Sequence, residues 1–429
     1  MFGWEFPPHI SGGLGTACYG LTKSLSGFSD VEVAFVVPRK FGDEVPLDIT
    51  LLGADEIPVI KKQLRFADTN SKIGYYELNS DLIPYLGTSE YFELKSKMLP
   101  EEKRLAEITT EGKFIFSGDY GIHLFQEIQN YTRVAEKLAS ELDFDVVHVH
   151  DWMTFPAGIT AQRISGKPLV VHVHSTEFDR SGQQVNPAIC EIEKEGLIAA
   201  SQVIAVSNLT RSMIIRNYHI EPEKVITVYN AVEPVVAKKD PSLQKPADQH
   251  IVTFLGRITM QKGPEYFLEA AFRVLQKMEN VRFIMAGKGD LREAMIRRAT
   301  ELNISDKMDF PGFIPDHEVQ QLFLESDIFV MPSVSEPFGL VTLEAMQAGL
   351  PVLISKQSGV SEILKNAIKV DYWDVHAMSV AILDLLNNPE RKELLGNLSK
   401  KESSKFLWKI PAAQIRQIYL SLTDEIVSG

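Results

Sequence analysis

Cysteine is nearly missing from this chain of 429 residues: Cys18 and Cys190 are the only two. So widely spaced a pair makes neither a disulfide framework nor a cysteine-rich zinc site, and it points to a reducing, cytoplasmic setting. Also missing is any run approaching the ~18 apolar residues that a membrane span requires. The opening residues have no basic cluster, apolar core or small-residue cleavage pattern, so they give no sign of a secretory signal. Positive charge is in deficit, since 44 Lys plus Arg against 57 Asp plus Glu leave a formal net charge of −13. A phosphate backbone is repelled by that balance, which excludes general nucleic-acid binding. Short repeats and low-complexity tracts are absent as well.

What is present is a rhythm. Short β-branched runs alternate with longer amphipathic stretches, the pattern of parallel α/β architecture. The first half predicts strands at 31–38, 145–150, 169–174, 202–207 and 225–229. A second series predicts strands at 251–258, 281–287, 307–313, 328–333, 351–355 and 368–371, with helices such as 264–278 and 319–325 between them. Their continuous apolar character fits strands buried on both faces. The interval 39–119 breaks the rhythm, with strand-like pieces at 73–78 and 114–117, and reads as an insertion. A polar stretch containing Pro234, Pro241 and Pro246 reads as a linker. Two doubly wound Rossmann-like domains facing across a cleft are therefore expected: 1–235, a linker at 236–250, 251–409, and a helical end at 410–429. The tail from 389 to 421 is helical in pattern with a break at Pro411. Residues 1–6 run straight into Pro7 and Pro8, so either the first strand is very short or the true start lies upstream.

Ligands of open α/β sheets gather beyond the carboxyl ends of the strands. Four clusters meet that condition. The first follows strand 328–333, passes Pro337 and Gly339, and enters a helix, placing Glu336 in the loop and Glu344 about two turns into the helix. Exposed amides around Gly339, Leu340 and Val341 form a helix N-terminus that attracts phosphate. On pattern alone, a site and a plain helix with two acidic residues fit equally. The second is the loop 256–263 after strand 251–255, where Arg257 and Lys262 sit among glycines suited to a diphosphate. The third is the glycine loop Gly12, Gly13, Leu14, Gly15 before a helix from Thr16 to about Leu25. It fails the dinucleotide fingerprint, because Cys18 stands at the third glycine position, and no Gly-Lys-Ser/Thr follows.

The fourth is a matched pair of strand ends carrying His148 and His150, then His172 and His174. A His-x-His pair can bind metal, but no strand-end carboxylate or cysteine completes a ligand set, which favours a non-metal role. Asp143 and Asp145 imitate a metal-binding Asp-x-Asp, yet they precede a strand instead of following one and read as a solvated loop.

Together, the glycine loop 12–15, His150-Asp151-Trp152, His174, the Gly256-Arg257 to Lys262-Gly263 loop, and the glutamates at 336 and 344 resemble the retaining nucleotide-sugar glycosyltransferases of GT-B fold. That broad group contains glycogen and starch synthases, sucrose synthases and many cell-surface polysaccharide transferases. The resemblance covers nearly the whole chain. It implies that Arg257 and Lys262 neutralise the departing diphosphate without a metal, that Glu336 holds the transferred sugar, and that Glu344 holds the ribose. It assigns the amides of Phe338 and Gly339 to sugar hydroxyls and those of Leu340 and Val341 to phosphates. Gly12 and Gly13 come from across the cleft, His174 touches the sugar near its primary hydroxyl, and Asp151 faces the acceptor. Gly312, Phe313 and Ile314 edge the base pocket, and the last helix packs back on the first domain.

Ile10 and Thr16 depart from the bacterial and plant glycogen synthase pattern, which has lysine and an acidic residue there. The opening 3–8 and the segment 174–180 resemble a neighbouring glucan-synthase-like subgroup. The implied activity is transfer of a hexose, glucose first, from a UDP- or ADP-sugar to a saccharide or α-glucan acceptor, with no cofactor. The alternatives are a transferase for cell-surface polysaccharide or lipid-linked sugar, a metal-dependent hydrolase using the two His-x-His ends, and a binding protein without catalysis.

Overall fold

A computed structural model describes residues 1–9, 12–59, 112–234 and 248–428. The first domain runs α1 (Gly13–Leu25), β1 (Ala34–Val37), β2 (Thr50–Gly53), α2 (Leu124–Glu141), β3 (Val147–His150), α3 (Phe155–Ser165) and β4 (Leu169–Val173). It continues with α4 (Glu177–Ser181), α5 (Pro187–Ala199), β5 (Gln202–Ala205), α6 (Asn208–Tyr218) and β6 (Val225–Thr227). The second domain begins with β7 (His250–Leu255), α7 (Pro264–Leu275), β8 (Val281–Ala286), α8 (Arg292–Glu301), β9 (Met308–Gly312) and α9 (Asp316–Glu325). After these come β10 (Ile328–Met331), α10 (Leu340–Gln347), β11 (Val352–Ser355), β12 (Ile368–Val370), α11 (Val375–Asn387), α12 (Pro389–Ser403) and α13 (Lys409–Ser428).

Among the described residues all pairs of named strands are parallel. In the second sheet the order is β12-β11-β10-β7-β8-β9, so the winding reverses between β7 and β10. The first domain reverses likewise. Phe2 bridges β1 on one side and β3 on the other, joining β1-β2 to β3-β4-β5-β6. Each reversal opens a crevice at the carboxyl ends of the flanking strands. The loops at these two crevices are the ones that carry the glycine loop and His150 in the first domain, and Arg257, Lys262 and Glu336 in the second.

Alternate strand residues feed opposite layers. Val147, Val149, Val171 and Val203 pack toward α2 and α3, whereas Phe35, Val170 and Ile204 face a second apolar cluster. That second cluster continues from Ala17 and Leu21 through Trp408 and Ile415 to Phe338, Leu340 and Ile354, so the two domains share one packed layer. Helix α13 lies on the first domain, held by Arg416 Nε to Asp30 at 2.9 Å and by Tyr419 at 2.5 Å from His148 Nδ1. Where the chain passes between domains, Val232 N donates to Phe406 O at 3.0 Å and pairs in parallel with Leu407.

Three expectations shift. The interval 39–119 contributes β2 to the main sheet beside β1, while 73–78 lies outside the described residues. Helix α1 starts at Gly13, three residues before Thr16, because the glycines lie inside its first turn instead of forming a loop ahead of it. The tail breaks at 404–408, and Pro411 sits in the first turn of α13, where its missing N–H costs no helical hydrogen bond.

Candidate active site

The second-domain half of the site is built by two loops pressed together. Gly263 has φ 64°, and a Cβ there would stand 2.2 Å from the carbonyl oxygen of Pro332. Only glycine allows the loop after β7 to lie so close to the loop after β10. The carbonyl of buried Gln261 accepts from Val334 N at 2.9 Å, and its side-chain oxygen accepts from Arg257 at 3.2 Å. Lys262 closes this turn with its ammonium 2.5 Å from Glu336 Oε2, in an ion pair whose side chains are 19% and 7% exposed. Ser333 Oγ donates to the same carboxylate oxygen at 3.2 Å. The backbone of Glu336 is held as well, accepting from Gly359 N at 2.8 Å and donating to Gln357 O at 3.0 Å. Arg257, Lys262 and Glu336 thus share one corner.

Gly339, at φ 107°, caps α10, whose first amides have no carbonyl partner within the helix. Phe338, Gly339 and Leu340 are buried and Val341 half-buried, so this terminus lies at the domain interface. Glu344 stands half-buried one turn further along. Across the cleft, Gly12 and Gly13 begin α1, and a Cβ on Gly13 would stand 3.5 Å from Leu340. Two helix N-termini from different domains therefore approach the same region, and each favours an anion. Gly312 ends β9 at the sheet's edge, and Phe313 and Ile314 follow it; Phe313 is 53% exposed, with the Lys288 ammonium 5.7 Å from its ring centroid.

On the first-domain side, Asp151 follows directly after β3. It is buried, and its Oδ1 accepts from His174 N at 2.6 Å and Ser175 N at 3.3 Å, fastening the end of β3 to the loop after β4. Burial pushes its carboxyl up to about 7, against the Arg180 guanidinium and the two amides. His174 is half-buried, with Nε2 3.1 Å from His150 Nδ1, and burial brings its pKa down to about 3. Burial first, then neighbouring imidazoles, holds His148, His150 and His172 well below the usual range.

One cysteine does join the histidines. Cys18 of α1 lies with His150 and His174, and His148, His150 and His172 form a second group, each with ligand atoms within 4.8 Å. The geometry nonetheless suits a metal poorly. His148 and His172 stack 16° from parallel, and His148–His150 and His172–His174 stack at 24°. Imidazole lone pairs lie in the ring plane, so stacked rings do not converge on one tetrahedral centre. Burial also raises the Cys18 thiol, and no buried carboxylate in either group would offset a divalent charge.

Two contacts have no local sequence signal. Ser335 Oγ donates to Asp179 Oδ1 at 2.6 Å, joining α4 to the loop that carries Glu336. Glu362 accepts from Asn208 N at 2.9 Å and Leu209 N at 2.7 Å, at the N-terminus of α6. Thr176 and Asp179 form a capping box, a spacing visible in the sequence, but nothing there indicates the partner in the other domain.

Residues 235–417 match the model of a family described as glycosyl transferases group 1, and residues 100–235 match that of glycosyltransferase family 4. An uncharacterized glycosyltransferase of Methanocaldococcus jannaschii is 28% identical over 438 residues, covering 98% of this chain and 97% of its own. The alpha-maltose-1-phosphate synthase of Mycolicibacterium smegmatis is 30% identical over 311 residues, covering 64% and 78% respectively. Sucrose-phosphate synthase from Thermosynechococcus elongatus shares the fold with a TM-score of 0.71 at 18% identity, covering 97% of this chain and 94% of that one. Anabaena HepE, solved in complex with UDP and glucose, aligns with a TM-score of 0.60 at 20% identity over 69% and 82%.

Proposed function

The chain belongs to the group 1 glycosyltransferases, enzymes of GT-B fold, and on that premise we propose that it moves a hexose from a nucleotide diphosphate to a saccharide acceptor with retention of anomeric configuration. Glucose is the first choice of sugar, UDP or ADP the carrier and an α-glucan the preferred acceptor, as in a glycogen-synthase-like enzyme; the UDP and glucose bound by HepE support this choice of donor.

The observation that carries this reading is the Lys262–Glu336 pair, set at the winding reversal of the second sheet beside the N-terminus of α10. Breaking a sugar–phosphate bond develops negative charge on the diphosphate and positive charge on the sugar, and preorganised charges and dipoles lower that barrier. A diphosphate arriving here would draw Lys262 and Arg257 to its oxygens, a stronger partner than one carboxylate. Glu336, released, would accept from the hydroxyls of the sugar. The amides opening α1 and α10 meet the same anion from both domains. Neutralisation falls to these cations and amides, so the proposal assigns no resident cofactor. Attack from the face the phosphate leaves, with a phosphate oxygen taking the acceptor's proton, gives retention. Neutral His174 donates or accepts one hydrogen bond at the sugar. Among the described residues no helix is long and apolar enough to cross a membrane, and the proposed place of action is the cytoplasm.

A panel of UDP-, ADP- and GDP-sugars, with and without glycogen, read by nucleoside diphosphate release and by the anomer formed, tests the proposal. Lys262→Ala should lower kcat/KM by about a hundredfold to a thousandfold, or roughly 3–4 kcal/mol of transition-state stabilisation. Circular dichroism should stay unchanged. Silence with every donor, or a variant as fast as the parent, overturns it; an inverted product overturns retention alone.

A further inference from the structure

His150 has no task in the transfer chemistry above, yet it holds the side chain of His174. His174 opens the loop after β4, half-buried at the carboxyl end of the first sheet. Three contacts relate its surroundings to the other wall of the cleft. Asp179, five residues on, accepts from Ser335, the neighbour of Glu336. A Cβ on Gly182 would stand 3.4 Å from Met260, in the turn that carries Lys262. Cys18, grouped with His150 and His174, belongs to α1, whose Gly13 approaches Leu340.

Among the described residues the His174 ring has one hydrogen-bond partner: its Nε2 stands 3.1 Å from His150 Nδ1. Burial keeps both rings neutral, so each carries one N–H and one lone pair. One of the two bonded nitrogens must therefore donate and the other accept. That choice fixes what His174 Nδ1 presents to a ligand. It is a donor if Nε2 accepts from His150, and an acceptor if Nε2 donates.

The surroundings of His150 set the direction. The residue is 0% exposed, with its ring stacked on His148 at 4.4 Å and flanked by His172 at 5.2 Å and Phe35 at 6.1 Å. Its Nε2 is buried and has no partner among the described residues. Orphaned N–H groups are rarer in protein interiors than under-used acceptors. The proton of His150 therefore belongs on Nδ1, where it has a partner, and His174 Nε2 accepts it. His174 is left with its own proton on Nδ1. Its ring is held there by stacking on His172 at 4.3 Å, and its backbone by Asp151.

We propose that His150 is a positioning residue: it locks His174 in the Nδ1–H tautomer, so that His174 meets the sugar as a hydrogen-bond donor. A donor of this kind can hold a hydroxyl oxygen but cannot take a proton from it, so His174 is not the base of the reaction. The contact with the sugar rests on the transferase reading above; the tautomer does not.

Long-range ¹H–¹⁵N correlation spectra of the full chain, labelled at the histidine nitrogens and recorded at pH 7.5, read the tautomers without turnover. A His174→Gln spectrum assigns the signals. In the parent, His174 should carry its proton on Nδ1 and keep Nε2 bare. His150→Phe fills the space without a donor. It should leave His174 a mixture of tautomers and lower kcat/KM for the sugar nucleotide about tenfold, with the acceptor KM unchanged. His150→Asn offers an amide N–H close to the lost Nδ1 and should restore the tautomer, and the rate to within about threefold. The parent spectrum decides the direction even where His150→Phe does not fold. A His174 proton on Nε2 in the parent, an unaltered tautomer in His150→Phe, or a His150→Phe enzyme as fast as the parent overturns the proposal. A His150-dependent Nδ1–H tautomer in a protein that releases no nucleoside diphosphate supports the lock and overturns the transferase reading. Turnover by a protein whose His174 holds its proton on Nε2 does the reverse.

Discussion

Ser335 places one hydroxyl between the two walls of the cleft. Its bond to Asp179 ties the Glu336 loop to the first domain, while Asp179 keeps Thr176 N and Oγ1 as partners at 2.8 and 2.7 Å. Ser335→Ala therefore removes the contact without stranding the carboxylate. A hydrogen bond to a charged group contributes about 1.5–3 kcal/mol. If the bond is made in the working state, kcat/KM should fall about tenfold or more, while the melting temperature moves by only a few degrees; steady-state kinetics beside a thermal melt separates the two. An unchanged kcat/KM would mean that the enzyme works without this contact. The sequence made the loops at Lys262, Glu336 and Gly13 visible, since glycine and cation spacing reflects local backbone needs. It could not reveal that Lys262 and Glu336 pair with each other, nor that Asp179 meets Ser335, 156 residues away. Nor could it reveal that Asp151 fastens the loop after β4, its Oδ1 accepting from His174 N and Ser175 N.

Among the elements, the turn Met260–Lys262 has little tolerance. Gly263→Ala meets both a left-handed backbone and a carbonyl at 2.2 Å, so the two loops must part. A loss of about 2–4 kcal/mol is expected, readable by calorimetry, with activity falling further as the loop carrying Lys262 moves away from the loop carrying Glu336. Gly12→Ala is the contrast. Its φ is −178° and nothing lies within 4 Å of a Cβ there, so stability should hold within about 0.5 kcal/mol. Strand and helix order was legible because doubly buried strands advertise themselves as apolar runs. Boundaries were not, for β2 is four residues long and glycines at 13 and 15 disguise the first turn of α1.

At the scale of the molecule, four neutral histidines make the first domain sensitive to acid. His174 titrates near 3 and His148, His150 and His172 well below their ordinary value, so below about pH 6.5 the unfolded chain binds protons that the folded one refuses. Each costs about 1.4 kcal/mol per pH unit over that window. Asp151 near 7 and the raised carboxyl of Glu193 act oppositely, since there the folded chain holds the proton. The carboxyls of Asp55, Glu127, Glu265 and Asp290, also raised by burial, act with them, while the buried Met1 amine, brought down to about 5, acts with the histidines; from neutrality down to pH 5.5 the four imidazoles and the amine take up protons first in the unfolded chain, and the balance is a loss. The denaturation midpoint should be lower at pH 5.5 than at 7.5, and equal midpoints would show that the histidines titrate normally in the folded state.

The side-by-side passage of Val232 and Leu407 also has a mechanical consequence. A single tether lets two bodies swivel freely, whereas two tethers bonded together at 3.0 Å behave like the spine of a book. The covers can open, but they cannot twist or slide past one another, so Gly13 and Leu340 would return to the same register each time they meet.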